Sequence, residues 1–253
     1  MKIVVVGGSG RLGSKVVPRL VAQGHEAVPA SPTTGIDAVT GEGLADVMVG
    51  ADVVVDVSNA PVWDDEGVWE FFTTATRNLL AAERAAGVGH HLPVTIVGAD
   101  LLPGSGYMRA KVAQEAEIEA GTIPYTILRA TQFFEFLPEI AEAGAEGDSV
   151  RLTNGLSRPV AVDEVAATVA ELATGAPVGG RVEVGGPEAL SIDAWARRLF
   201  AATGDERTVV SDPHASYFGA ELKGGELTPG DGARIGATNF DSWFATQPQG
   251  AER

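Results

Sequence analysis

The stretch that most constrains this 253-residue chain is Met1 to Gly24. Lys2-Ile3-Val4-Val5-Val6 is a short apolar run rich in β-branched residues, the pattern of a buried parallel strand. Gly7-Gly8-Ser9-Gly10-Arg11-Leu12-Gly13 follows directly. Leu12, Val16, Val17, Leu20 and Val21 then fall at helical spacing, with Gly24 as the stop. Strand, glycine loop and helix in this order make a cradle for a pyrophosphate. In that cradle Gly8 allows the tight turn, Gly10 lets the backbone approach the phosphates, and Gly13 lets helix and strand pack closely. Free N–H groups at the helix start and the helix dipole favour the negative charge.

The same alternation continues. Strands are predicted at 25–30, 36–39, 51–57, 92–97 and 124–128. Helices are predicted at 41–49 (with Thr40 as a cap), 64–86 and 106–120. The long helix carries Trp69, Phe72, Ala75, Leu79 and Ala82 on one stripe. This is the pattern of an α/β, Rossmann-type doubly wound parallel sheet with a ligand crevice at the strands' carboxyl ends. Pro18 sits well inside the first helix, where it removes a hydrogen bond and predicts a kink. Past residue 145 the rhythm weakens. Strands are expected at 149–152, 158–162 and 181–184, with helices from Asp163 to Ala173 and from Ser191 to about Ala202. The tail from Asp205 has apolar anchors at Tyr217, Phe218, Leu227, Phe240, Trp243 and Phe244. The expected organisation is a dinucleotide-binding domain over 1–145 and a smaller C-terminal substrate-binding lobe over 146–253 packed on the same fold.

Composition excludes several classes. Net charge is −16, against a nucleic-acid surface, which needs clustered Lys and Arg. No apolar run reaches the ~18 residues of a membrane span, and no leader pattern precedes the first strand, so the expected location is cytoplasmic. The chain has no cysteine, which removes thiolate nucleophiles and Cys-based metal sites. His25, His90, His91 and His214 show no metal-like spacing and read as structural or exposed. The partners expected are a small-molecule substrate and, as the common case, a second copy in a homodimer.

An NAD-specific site places an acid at the end of the second strand. Here Ala30, Ser31 and Pro32 stand there, which permits a 2′-phosphate. NADP is therefore favoured, with NAD possible. Arg11 is a candidate cation for that phosphate or a solvated loop residue, and Ser31 a hydrogen-bond partner. Asp37 reaches an adenine edge or caps a turn.

Tyr107 and Lys111 are four apart and share a helix face. A nearby ammonium favours a phenolate, which makes the tyrosine a usable proton donor and acceptor. The plainer reading is a surface helix in which Lys111 pairs with Glu115. Thr95, in the preceding strand, has a hydroxyl suited to polarising a carbonyl oxygen, although threonine also simply suits strands. Phe133, Phe134 and Phe136 follow a strand end and read either as an apolar substrate wall or as core.

Together the glycine motif, Asp52-Val53-Val54-Val55-Asp56-Val57, Tyr107-x-x-x-Lys111 and Pro124-Tyr125-Thr126-Ile127-Leu128-Arg129-Ala130-Thr131 resemble the short-chain dehydrogenase/reductase superfamily, in its atypical NmrA-like NAD(P)-binding branch. The resemblance covers about 1–145 well. It implies Tyr107 as general acid, Lys111 as ribose ligand that lowers the tyrosine pKa, and Thr95 as carbonyl holder. It also implies a cofactor lining from Ser58, Asn59 and Ala60 and a nicotinamide flanked by Ala130, Thr131 and Gln132. Threonine replaces the commoner serine. The implied activity is an NAD(P)H-dependent oxidoreductase acting on a small, apolar carbonyl, quinone-like or imine-like compound. The alternatives are a dinucleotide-sensing regulator, since some members lack the tyrosine, and a redox-neutral epimerase or isomerase.

Overall fold

The computed structural model describes residues 1–247. In chain order the elements are β1 (Lys2–Val6), α1 (Gly13–Ala22), β2 (Glu26–Ala30), α2 (Leu44–Met48), β3 (Val53–Asp56), α3 (Asp65–Ala86), β4 (His90–Ile96), α4 (Gly106–Glu119), β5 (Thr126–Ala130) and α5 (Leu137–Ala143). Then come the short strands β6 (Ala145–Glu146), β7 (Ser149–Leu152) and β8 (Leu156–Ser157), followed by α6 (Val162–Thr174), β9 (Gly180–Gly185), β10 (Leu190–Ser191) and α7 (Ile192–Thr203). The chain ends with β11 (Thr208–Ser211), β12 (Ser216–Tyr217), β13 (Ala220–Glu221), β14 (Arg234–Ile235) and α8 (Phe240–Ala245).

Seven strands form one parallel sheet in the order β14-β9-β5-β4-β3-β1-β2. Period-two alternation assigns the faces. Ile3 and Val5 pack with Val16 and Leu20 of α1 and with Val165 and Val169 of α6. Val4 and Val6 point the other way, against Leu44 and Met48 of α2 and Leu79 of α3. A strand buried on both faces must be apolar throughout, and Lys2–Val6 is, apart from its first residue. Strand order reverses at β1, which lies between β2 and β3, so the crevice expected of such a sheet opens at the carboxyl ends of these strands.

Several expectations need correction. Residues 36–39 form no strand. The Asp37 carboxylate accepts from the Val39 and Thr40 amides, and the Gly41 amide returns to the Asp37 carbonyl, so the segment is a closed turn and β2 is the sheet edge. The helix at 41–49 shortens to α2, capped by left-handed Gly43 rather than Thr40. On α3 the buried stripe begins at Val68, and Trp69 is 48% exposed. The strand expected at 158–162 shrinks to a single bridge from Val160 to Phe133. Asp163 does not cap α6. Its carboxylate binds Lys15 and Arg19 of α1 at 2.8 and 2.7 Å, while Glu135 accepts from the Val162 amide at the helix start. The helix α1 runs through Pro18, which is exposed, so water can serve the Ser14 carbonyl that the proline leaves free.

Residues beyond 145 supply β9 and β14 to the main sheet and α6 to its face. They also supply a second core, in which Trp195, Phe240 and Trp243 pack around Phe134. None of the helices among the described residues is long and apolar enough to cross a membrane.

Candidate active site

The glycine loop forms by necessity of shape. Gly7 has φ 77°, and a Cβ there would lie 2.8 Å from the Ser58 backbone. The left-handed residue of the turn is therefore Gly7, one position before the expected Gly8. Gly8 is required instead by the approach of β2, since its Cβ would lie 2.7 Å from Pro29. A Cβ on Gly13 would overlap the Gly7 carbonyl, so only glycine lets α1 start this close to the loop. A Cβ on Gly10 would meet only the Gly7 carbonyl, at 3.1 Å, and the space beyond it is open. The amides of Ser9, Arg11 and Leu12 have no partner in the chain among the described residues. Unspent amides at the start of a ten-residue helix suit an anion.

From this loop a crevice of about 1170 Å³ runs across the carboxyl ends of the strands. At its glycine-loop end lie Ser9, Gly10, Ser31, Ile36 and Asp37. Ser31 Oγ meets Thr33 Oγ1 at 2.9 Å, and Thr33 in turn stands 3.5 Å from Ser9 Oγ. This end is thus lined by neutral hydroxyls, with no acid at the end of β2. Asp37 lines the wall, but one of its oxygens is spent on the turn described above.

Arg11 departs from its expected role. Its guanidinium donates to the Glu135 carbonyl at 2.8 Å and to Glu139 at 2.7 Å, so it spans from the loop to the start of α5. In the loop after β3, Ser58 and Asn59 line the crevice. Ala60 does not, being buried against Val68, Phe72 and Ala110.

The far end is built from side chains. Tyr107, at the start of α4, donates to Asn59 Oδ1 at 2.7 Å. Its ring lies edge-on to Phe72 and 5.5 Å from Trp63. Trp63 also stacks on Phe136 and Phe218. Burial pushes the Tyr107 phenol well above its ordinary pKa, so it is protonated at neutral pH. Lys111 does not counter this. Its ammonium is buried, donates to the Val94 carbonyl at 3.1 Å and to Gln114 Oε1 at 2.9 Å, and sits 4.0 Å over the Phe72 ring. Burial lowers its pKa to about 8, against the pull of Asp56 and Glu115. The lysine is thus a buried cation facing the sheet, joined through Gln114 to Asp56, which also accepts from Ser58.

Thr95 also departs from expectation. Its hydroxyl donates to Glu115 Oε1 at 2.6 Å, and Arg129 clamps the same carboxylate at 2.9 and 2.6 Å. A hydroxyl has one proton, and this one is spent on a buried anion. Ala130 and Thr131 line the crevice, with the Thr131 hydroxyl donating to the Arg158 carbonyl. Phe133 and Phe136 line the crevice, while Phe134 is core.

Sequence reasoning did not assign Trp63, Tyr217 or Phe218 to this site. All three line the crevice. Trp63 carries no local signal, and Tyr217 and Phe218 read as tail anchors because nothing in the sequence brings residue 217 beside residue 107. Among the described residues no cluster of His, Asp and Glu is arranged to hold a metal.

Comparison with known proteins places the family and the fold. One curated relative, the photosystem II assembly factor Ycf39 of Synechocystis sp., is 26% identical over 151 residues, which cover 54% of this chain and 46% of that protein. The aligned part thus spans under half of the relative's length. Among solved structures the fold resembles MoeE5 in complex with UDP-glucose and NAD (TM-score 0.77, 17% identity, 98% of this chain and 97% of that one). It also resembles the Thermus thermophilus UDP-glucose 4-epimerase complex with NAD (0.71, 20%, 90% and 91%) and the Bacillus anthracis dTDP-4-dehydrorhamnose reductase in complex with NADP (0.69, 15%, 88% and 88%). A family model described as NAD(P)H-binding matches residues 7–175, from the glycine loop to the end of α6, and the chain accordingly belongs to the NAD(P)H-binding family.

Proposed function

We propose that this protein is an NAD(P)H-dependent oxidoreductase acting on a small, apolar carbonyl, quinone-like or imine-like compound, with Tyr107 as the acid. The observation that carries this reading is the continuity of one crevice from the unspent amides of the glycine loop to a protonated phenol among aromatic walls. A nicotinamide bound here supplies hydride. The cradle around Gly7, Gly10 and Gly13 fits its pyrophosphate, since Gly7 and Gly13 let the loop close against its own backbone while a side chain at Gly10 would enter the open space beyond it. Ser31, Thr33 and Ser9 would meet the ribose beyond β2, with no acid to repel a 2′-phosphate, so NADP is favoured over NAD. The Ile36–Val39 wall would meet the adenine. Tyr107 passes its proton to the substrate oxygen and recovers one from water; in the resting state Asn59 holds that proton. Trp63, Phe136 and Phe218, stacked on one another, give this end an apolar wall.

The test is Tyr107→Phe. Nucleotide affinity should persist while turnover falls by ~10²–10⁴, the range for a general acid. Unchanged turnover removes Tyr107 from the mechanism.

A redox-neutral reaction on a sugar nucleotide is the second reading, favoured by the ligands of the similar structures. Against it, among the described residues the only cationic side chains lining the crevice are Arg11, tied to Glu139, and Lys111, buried against the sheet. Neither serves a second diphosphate. Product formed from a sugar nucleotide without net NADPH consumption would favour this reading. A dinucleotide sensor would instead bind NADP and NADPH with different affinities and transfer hydride to nothing.

A further inference from the structure

An acid alone is half of what a reacting carbonyl oxygen needs. As charge builds on that oxygen, a second donor stabilises it, and losing one such donor costs ~10²–10³ in turnover. The residue expected to provide it, Thr95, has spent its proton on Glu115. The structure offers a replacement from the other end of the chain. We propose that the Tyr217 hydroxyl, carried by the β12–β13 hairpin, is the second hydrogen-bond donor to the ligand oxygen that Tyr107 serves. The assignment rests on the placement of the reacting oxygen at Tyr107 argued above.

Three observations carry it. First, Tyr217 lines the same crevice as Tyr107 and is only 5% exposed, so it reaches that crevice from the C-terminal core, shielded from bulk water. Buried tyrosine hydroxyls need a partner.

Second, the partner present leaves the proton free. Gln132 hydrogen-bonds the Tyr217 hydroxyl, and because its buried amide oxygen, Oε1, takes no partner among the described residues, the amide nitrogen is the atom that donates. Tyr217 therefore accepts from Gln132 and keeps its own proton available to a ligand. The two phenols are also near enough that charge on Tyr107 acts on Tyr217, and with burial this holds Tyr217 well above its ordinary pKa, as a donor rather than an anion.

Third, the hairpin is strained where it delivers the residue. Phe218 has φ 45°, the only non-glycine residue with positive φ among those described, and Gly219 follows at 90°. A side chain with a Cβ is strained in this region, where it crowds the following carbonyl oxygen. Such strain persists only where surrounding contacts hold it, and it gathers at functional sites. Here it turns the corner that sets Tyr217 edge-on to Phe218 at 4.9 Å and lays Phe218 on Trp63. For packing alone, phenylalanine would serve at 217 as well as tyrosine.

Tyr217→Phe keeps the ring and removes the hydroxyl. In the full chain, three quantities are compared with wild type: thermal midpoint, NADPH affinity by fluorescence titration, and steady-state NADPH oxidation with 4-nitrobenzaldehyde and 1,4-naphthoquinone. The expected result is an unchanged midpoint and NADPH affinity, a kcat about 100-fold lower, and a KM changed less than threefold. A kcat within threefold of wild type overturns the assignment and leaves the oxidoreductase reading standing. If wild type binds NADPH but oxidises none, hydride transfer fails instead, and quenching of tryptophan fluorescence by the same two compounds decides. At least tenfold weaker binding in Tyr217→Phe supports the contact. Equal binding, or no binding by wild type, overturns it.

Discussion

The two ends of the crevice are built by different means. At one, β1 and α1 hold the glycine loop so that backbone makes the site: the working groups are amides, and the glycines act by what they lack. At the other, Tyr107 comes from α4, Trp63 from the loop after β3, Phe136 from the run into α5, and Tyr217 and Phe218 from a hairpin more than a hundred residues on. The first end is fixed by a local pattern in twenty-four residues. The second exists only once the sheet and the C-terminal core have formed. A backbone site is therefore brittle to one added methyl, whereas a side-chain site tolerates the fold around it and fails one function at a time.

The sharpest way to break this contrast is Gly13→Ala. The added Cβ would overlap the Gly7 carbonyl, and both partners are backbone, so nothing can swing aside. The expected outcome is at least a ~100-fold loss of nucleotide affinity, together with destabilisation of ~1–3 kcal/mol from overpacking at a closed helix–loop contact. Titration with NADPH and urea unfolding read the two effects separately. If affinity survives, the loop is less rigid than its geometry states and the contrast between the ends dissolves.

Legibility in the sequence follows the same division. β-Branched runs and helical spacing placed six of the seven parallel strands and the helices between them, because burial on both faces forces an apolar pattern that composition cannot hide. The segment 36–39 misled for a physical reason: Ile36 and Val39 suit a strand, but the Asp37 carboxylate satisfies two amides locally and closes a turn. The edge strand β14 went unread because two residues carry no period. At the site, Tyr107 was legible from its spacing to Lys111, yet the partners of these groups were not. That Lys111 of α4 reaches the Val94 carbonyl of β4, and Thr95 of β4 the Glu115 carboxylate of α4, depends on groups from other elements. Buried charge selects its partners after folding, and no spacing rule announces them.

A smaller effect tests whether the hydroxyl cluster beyond β2 sets cofactor choice. Ser31→Asp puts an acid where NAD-specific sites hold the ribose 2′-hydroxyl. The carboxylate would repel a 2′-phosphate, so NADPH affinity should fall about tenfold, or ~1.4 kcal/mol, while NADH affinity rises. Parallel titrations with both nucleotides check it. Equal loss of both would mean that the half-buried Ser31–Thr33 contact holds the loop rather than reads the ribose.

The smallest expected effect belongs to a side chain that reaches out of the glycine loop toward α5. Arg11 leaves the glycine loop and reaches the Glu135 carbonyl and Glu139 at the start of α5. Both partners of the ion pair are nearly half exposed, at 45% and 43%, and such pairs contribute ~0–1 kcal/mol. Glu135 itself stays anchored without it, because its carboxylate accepts from the Val162 amide and from the Trp243 indole. Arg11→Ala should therefore lower stability by less than ~1 kcal/mol and weaken NADPH and NADH alike, by no more than about threefold. A selective tenfold loss of NADPH would carry a different meaning. It would show that the guanidinium exchanges Glu139 for a 2′-phosphate on binding, so that the two ends communicate through this arginine, and the phosphate role read from the glycine loop would hold for the bound state alone.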